Sequence, residues 1–203
     1  MAFTDALVDR LLRRPRGALA RWMWRDMKAH HGIFGDTLRA LTLTPDHHLL
    51  EIGCGGGTFA ARALKTGCRV TAVDHSADMV ALATAGNPDA VAEGRLTVVE
   101  AAAESLPFPN ALFTHAAMMN VVFFLDLPKS LVELRRVLAP QARAVLHTVA
   151  PEPPRAVAPG PVARRMRLYA DDELRTLLDD AGFTDIRITR VDSAYQLVTA
   201  VAP

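Results

Sequence analysis

The chain has 203 residues, half of them hydrophobic, a formal net charge of +1 and two cysteines. That length can bury one substantial core without crosslinks, and the near-zero charge gives no electrostatic reason to expect nucleic acid, whose phosphates need a basic face. No apolar run approaches the roughly 18 residues of a membrane span, and the sparse cysteines, Cys54 and Cys68, point to a reducing, cytoplasmic setting.

Residues 1 to about 43 carry helical periodicity, with Leu7, Leu11, Leu12, Leu19, Trp22, Met23 and Met27 recurring in threes and fours. Pro15 and Gly17 separate a first helix from a second, and Gly32 with Gly35 separates the second from a third. The stretch Met1–Arg14 contains Asp5 and Asp9 and no apolar core, so it does not read as a secretory signal. Residues 1–43 are too few and too one-sidedly apolar to form a core of their own. They are expected to be a helical cap packed on residues 44–203.

Next comes Leu49-Leu50-Glu51-Ile52-Gly53-Cys54-Gly55-Gly56-Gly57-Thr58, an apolar run, a cluster of glycines and then an Ala/Leu-rich stretch. It reads as a buried parallel strand, a tight turn and a helix, the unit in which backbone approaches a ligand at the carboxyl edge of a sheet. A second strand, Arg69 to Val73, ends in Asp74, where an acid can accept both hydroxyls of a ribose. Strands are expected near 47–52, 69–74, 95–100, 112–119 and 143–149, and helices near 57–65, 76–84 and 128–138. The proline-rich stretch 151–165 reads as a loop, followed by a helix at 171–181 and strands at about 184–191 and 195–201.

The glycine spacing narrows the ligand. From Gly53 and Gly55 a dinucleotide fingerprint would place its last glycine at Thr58, and no Gly-Lys-Ser/Thr follows to make a P-loop. The pattern E-x-G-x-G-x-G instead resembles motif I of the class I S-adenosylmethionine-dependent methyltransferases, in the small-molecule branch called methyltransferase type 11 or ubiquinone-biosynthesis-methyltransferase-like. Four further segments agree in order: Val70 to Met79 with V-x-G-x-D-x-S-x-x-M, Glu104 to Pro109 with E-x-L-P-F-P, Leu131 to Pro140 with L-x-E-x-x-R-V-L-x-P, and Tyr169 to Phe183 with Y-x-x-x-E-L-x-x-L-L-x-x-A-G-F. The element order then gives the α/β, Rossmann-like doubly wound sheet of seven strands, last strand antiparallel, that the resemblance implies. Residues 44–203 would be the cofactor-binding domain, and ligands would bind at the carboxyl ends of its strands.

The resemblance implies S-adenosylmethionine as cofactor. Glu51, Gly53, Cys54, Gly55 and Gly57 would hold its amino-acid end, Asp74 its ribose, and His75 and Met79 its adenine, although a purely structural Met79 is equally expected. Ala102 stands where the family carries an acid toward the adenine amine, so Glu104 or backbone near Ala103 would replace that contact. At the end of strand four, Met118, Met119, Asn120 and Phe123 would wall an acceptor pocket, with Phe123 and Phe124 where the family has paired histidines. That wall suits a small apolar or aromatic acceptor. The alternative role for Phe123 and Phe124 is core of the following helix.

Methyl transfer from a sulfonium is a direct displacement, so a base is needed only if the nucleophile must lose a proton. His30 and His31, at the end of the cap, are the base candidates, set against a solvated helix C-cap. His115 and His147 fall mid-strand and are expected to be buried and hydrogen-bonded, and no Asp/His spacing suggests a metal. The expected partner is a small-molecule acceptor, with a homodimer left open and neither nucleic acid nor a membrane. The alternative function is a methyltransferase-like protein that binds the cofactor but does other work, such as a cyclisation.

Overall fold

The computed structural model describes residues 15–25, 30–154, 156–157, 160–192 and 194–203, with backbone only for His31 and Pro161. The segment Met1–Arg14, including Leu7, Leu11 and Leu12, and also Met27, lies outside the described residues. Seven strands form one sheet: β1 (His48–Ile52), β2 (Arg69–Asp74), β3 (Leu96–Glu100), β4 (Phe113–Met119), β5 (Leu138–Val149), β6 (Thr184–Val191) and β7 (Tyr195–Val201). Their spatial order is β3-β2-β1-β4-β5-β7-β6, with β7 antiparallel to both neighbours and the first five strands parallel. The chain leaves β1 toward β2 and β3, then crosses back to β4. The crevice of such a sheet therefore opens between the carboxyl ends of β1 and β4.

Helices cover both faces, as the buried apolar runs of a parallel sheet require. In chain order they are α1 (Ala18–Trp24), α2 (His31–Leu41), α3 (Thr58–Ala63), α4 (Ala77–Gly86), α5 (Pro88–Ala92), α6 (Leu127–Val137), α7 (Gly160–Ala163) and α8 (Asp171–Asp180). On one face Leu127, Leu131 and Leu134 of α6 and Leu174 and Leu178 of α8 pack against Ile52, Met118 and Leu146. On the other, Ile33, Phe34 and Leu41 of α2 join Phe59 and Ala60 of α3 over Leu49, Ala117, Met119 and Val145. Each strand thus delivers alternate residues to two separate cores.

Three elements differ from the expectation, each for a physical reason. Helix α2 runs straight through Gly32 and Gly35, which were expected to break it. Two glycines cost a helix about 1 kcal/mol each, whereas burying Ile33, Phe34 and Leu41 returns roughly 1.5–3 kcal/mol apiece. Burial wins. Strand β5 begins at Leu138, directly after α6, rather than near 143. Its pairing with β4 shifts register between Phe113 and His115, and the shift accommodates Pro140, which has no N–H to give a ladder, and Gln141 at a φ of 65°. Helix α5 was not expected, although Asn87-Pro88 supplies an N-cap and a proline at the first helical position. Within the stretch read as loop, α7 forms a single turn.

The cap residues do not behave uniformly. Helix α2 packs by its apolar face, but Leu19 and Trp22 of α1 are 57% and 69% exposed, so the stripe expected to bury them does not hold there. Polar contacts hold α1 instead. The Asp78 carboxylate accepts from Gly17 N–H and from Arg21 Nη1, each at 2.5 Å, and the Ser76 hydroxyl donates to the Pro15 carbonyl. This latch ties α1 to the start of α4 and sets Trp24 over the glycine turn, where a Cβ on Gly56 would lie 2.2 Å from the Trp24 carbonyl oxygen. Asp78→Ala should therefore release α1. Limited proteolysis should cut residues 15–25 several-fold faster, while thermal unfolding of the sheet stays within a few degrees of wild type. Unchanged cleavage would show that the latch holds nothing.

Candidate active site

The carboxyl ends of β1, β2 and β4 surround a cavity of about 810 Å³, within the usual range for small-molecule sites. The turn after β1 is fixed by two amides, Gly53 N–H and Cys54 N–H, which both donate to the Val73 carbonyl at 2.8 and 3.0 Å. Gly55 N–H then donates to Asp74 Oδ2 at 2.9 Å, while Ser76 N–H donates to Asp74 Oδ1 at 3.0 Å. Gly55 has a φ of 51°, and a Cβ there would lie 2.9 Å from the Trp24 ring. Glycine is required on both counts.

Two acids line this end of the cavity. Glu51 is 1% exposed, and its Oε2 has no hydrogen-bond partner. Burial, reinforced by the Asp74 charge and opposed by the Ala60 amide, pushes its pKa up to about 8. Burial also raises the Asp74 pKa, against the Gly55 and Ser76 amides and the neighbouring His75. The Cys54 thiol lies beside them, buried, and burial with the Glu51 and Asp74 charges raises its pKa well above the ordinary value. It is a filler rather than a nucleophile.

The structure places many of the expected residues on the cavity: Glu51, Gly53, Cys54, Gly55, Asp74, His75, Ala102, Ala103, Glu104, Met119, Asn120 and His30 all line it. Four do not. Gly57 caps α3, and a Cβ on it would meet Ala83 at 2.9 Å, so its place is helix packing. Met79 is fully buried in α4, the structural role weighed for it. Met118 points to the opposite core from Met119, because successive strand residues face opposite ways. Phe123 is buried in a 3₁₀ turn, and it is Phe124 that reaches the cavity.

The histidines also sort themselves. His30 is the N-cap of α2 and His31 its first residue, at the start of a helix rather than at a C-cap, and the His31 side chain lies outside the described residues. Burial lowers the His30 pKa; its Nε2 lies 3.4 Å from the Asn120 amide nitrogen, and its ring packs edge-on to Phe34. His115 Nδ1 meets the Thr114 hydroxyl at 3.1 Å. His147 is a correction: it is fully buried, yet neither ring nitrogen has a partner. Residues the sequence reading missed include Trp24, Phe34, Ser76, Val121 and Phe124. Phe34 sits one helical turn after His30, a spacing that shares a face. Ser76 is the serine of the segment matched to V-x-G-x-D-x-S-x-x-M, and Phe124 stands at one of the paired-histidine positions, whereas Trp24 and Val121 carry no sequence signal and are brought here by the fold alone.

A doubly wound sheet with a buried acid, a glycine turn and a second acid on adjacent strands defines an α/β protein that binds a nucleoside cofactor at its switch point. Residues 50–157 match the methyltransferase domain family, just over half of the chain. The chain belongs to that family, in the small-molecule branch of the class I S-adenosylmethionine-dependent methyltransferases. It is 30% identical over 155 residues to an O-methyltransferase of Pyrenophora dematioidea, an alignment covering 73% of this chain and 58% of that protein. The chain thus spans less than two thirds of that curated relative. Among solved structures, a SAM-dependent methyltransferase from Aquifex aeolicus superposes with a TM-score of 0.76 at 21% identity, covering 93% of this chain and all of that one. The [4+2]-cyclase SpnF superposes with a TM-score of 0.73 at 18% identity, covering 85% and 81%. Both likenesses show the shared fold.

The residues present fit S-adenosylmethionine. Glu51 Oε2 is a buried acceptor without a donor, a state that costs about 1–3 kcal/mol and that an ammonium would relieve. Gly53, Gly55 and Gly56 line the cavity with backbone alone, the space a Cβ would take being filled by Val121 and Trp24.

The raised Glu51 pKa gives a pH prediction. In the folded protein this carboxyl holds its proton up to about pH 8, whereas the unfolded chain releases it near 4.5. The native state binds the extra proton across that window, so stability falls as pH rises through it. Glu51→Gln stays neutral throughout and escapes the loss. Its thermal midpoint should gain on wild type between about pH 5 and about pH 8, while affinity for S-adenosylmethionine drops. A difference in midpoint that does not grow with pH would contradict the assignment.

Proposed function

We propose that the protein is an S-adenosylmethionine-dependent methyltransferase that acts on a small apolar or aromatic molecule by direct displacement. The observation that supports this most is the continuity of the cavity. It runs from Glu51 and the glycine turn, past Asp74, to a wall formed by Phe34, Met119, Val121 and Phe124. One end suits a charged, hydroxylated cofactor and the other an apolar partner.

When bound, the cofactor supplies a methyl group on a positively charged sulfur that is already a good leaving group. The chain's residues then have three tasks. Glu51 and the turn amides orient the amino-acid end, and Asp74 the ribose. Phe34, Met119 and Phe124 exclude water from the reacting atoms and align the acceptor. His30, kept neutral by burial, takes a proton where the acceptor has one to lose. The test is formation of S-adenosylhomocysteine by the purified protein when small-molecule extracts are supplied as acceptors. Cofactor binding without any product would favour a non-methylating role.

Two variants probe the parts separately. Asp74→Ala removes two ribose hydrogen bonds and unpins Gly55, and charged hydrogen bonds are worth about 1.5–3 kcal/mol each. Calorimetry should show S-adenosylmethionine affinity at least about tenfold weaker; equal affinity would refute the ribose role. His30→Ala should leave cofactor affinity intact and lower turnover by about 10²–10⁴-fold. In wild type the rate should fall at acidic pH with a midpoint below the ordinary histidine value, since only the neutral ring accepts a proton. A flat acid limb in wild type would exclude His30 as the base.

A further inference from the structure

The acceptor end of the cavity carries polar atoms whose partners are missing. Asn120 closes β4 at a φ of 52°, held by its N–H, which donates to the His147 carbonyl at 2.8 Å. Among the described residues its side-chain oxygen is buried without a partner, and its amide nitrogen has only the 3.4 Å contact with His30 Nε2. Turning the amide over exchanges the two atoms and leaves a buried donor unmatched instead of a buried acceptor. Either orientation calls for a ligand atom that completes the set. The surrounding side chains, Phe34, Met119, Val121 and Phe124, offer no hydrogen bonds of their own.

The carboxylates near this end are already engaged. Asp126 pairs with Lys129, Glu104 accepts from the Asp126 amide, and Asp36 is held by Arg39. A cationic amine therefore finds no free carboxylate at this end among the described residues, and it would face a histidine that burial keeps neutral. A ketone or ether oxygen could only accept, and a carbon nucleophile could neither accept nor donate. A hydroxyl does both: with the amide turned so that its nitrogen faces the ligand, the hydroxyl oxygen accepts from Asn120 and its single proton is left for the His30 ring.

Building on the methyltransferase reading, we propose that the methyl acceptor is a hydroxyl oxygen on an otherwise apolar molecule, seated between Asn120 and His30, and that Asn120 selects it. The hydroxyl oxygen forms its new bond to the methyl carbon as the sulfur–methyl bond breaks. Sulfur keeps the bonding pair, and the hydroxyl proton passes to the His30 ring. The products are a methyl ether, the neutral thioether and a protonated histidine that returns its proton to solvent. A site built to hydrogen-bond a hydroxyl rejects analogues lacking it strongly, because its own buried polar atoms are then left unpaired.

The experiment offers the full chain three matched probes, 1-naphthol, 1-naphthylamine and 1-methylnaphthalene, with S-adenosylmethionine, and reads methylated product by mass spectrometry. Product from 1-naphthol alone is expected, with Asn120→Leu lowering kcat/KM for it at least tenfold while cofactor affinity stays at the wild-type value. Preferred methylation of the amine or of a ring carbon overturns the hydroxyl assignment but keeps the methyltransferase reading. The same holds if Asn120→Leu turns over 1-naphthol normally. Cofactor bound at full affinity with no product from any probe or from small-molecule extracts overturns both.

Discussion

The hydrogen bond from the Gly55 amide to the Asp74 carboxylate is the contact on which the site depends. It ties the turn after β1 to the end of β2, and the second Asp74 oxygen extends the tie to Ser76, the N-cap of α4. Ser76 and Asp78 in turn hold the segment from Pro15 to Arg21. One buried carboxylate thus coordinates two turns, and the helix start beside it coordinates the cap. Its own burial is tolerable because two amides face it; Glu51, with one oxygen unmatched, is not so favoured and holds its proton near neutrality. The protein places hydrogen-bond acceptors where a cofactor rich in donors would sit.

Much of this was legible in the sequence because it rests on local chemistry. Apolar runs of strand length bounded by glycine, proline or polar residues marked all seven strands, and Glu51, the turn glycines and Asp74 follow directly from the first two strand ends. The misreadings have a common cause. Gly32 and Gly35 look like breaks until the burial of Ile33, Phe34 and Leu41 is known, and that burial belongs to the sheet beneath them. Likewise, strand alternation says that Met118 and Met119 face opposite ways but not which one faces the crevice. That parity is fixed by pairing with β1, where Ile52 lies opposite Met118. The 3₁₀ turn after β4 then decides between Phe123 and Phe124, and no residue pattern announced it.

The two cap helices show how different forces fix adjacent pieces of chain. Helix α2 is held by apolar burial and is therefore rigidly placed, which suits a helix whose first turn carries His30 and Phe34 into the cavity. Helix α1 is held by polar contacts that run from the buried Ser76–Pro15 hydrogen bond to the exposed Arg21–Asp78 pair, with Leu19 and Trp22 exposed. Exposed ion pairs contribute little and weaken with salt. The helix over the glycine turn is thus held by polar contacts and the one beside Asn120 by apolar burial.

The departure at Ala102 can be weighed in the same terms. Ala102 lines the cavity, its carbonyl accepts from Ser105 N–H at 3.1 Å, and Glu104 is turned to the Asp126 amide. The nearby acid is therefore committed to closing the loop against the start of α6, and any contact to an adenine amine must come from backbone. Losing a neutral hydrogen bond costs about 0.5–1.5 kcal/mol, whereas the contacts proposed for Glu51 and Asp74 would involve charge, at about 1.5–3 kcal/mol each. With the proposed contacts, affinity for the nucleoside would be set at the strand ends rather than at the adenine edge. On that site, an alanine at 102 would tune the affinity without removing it.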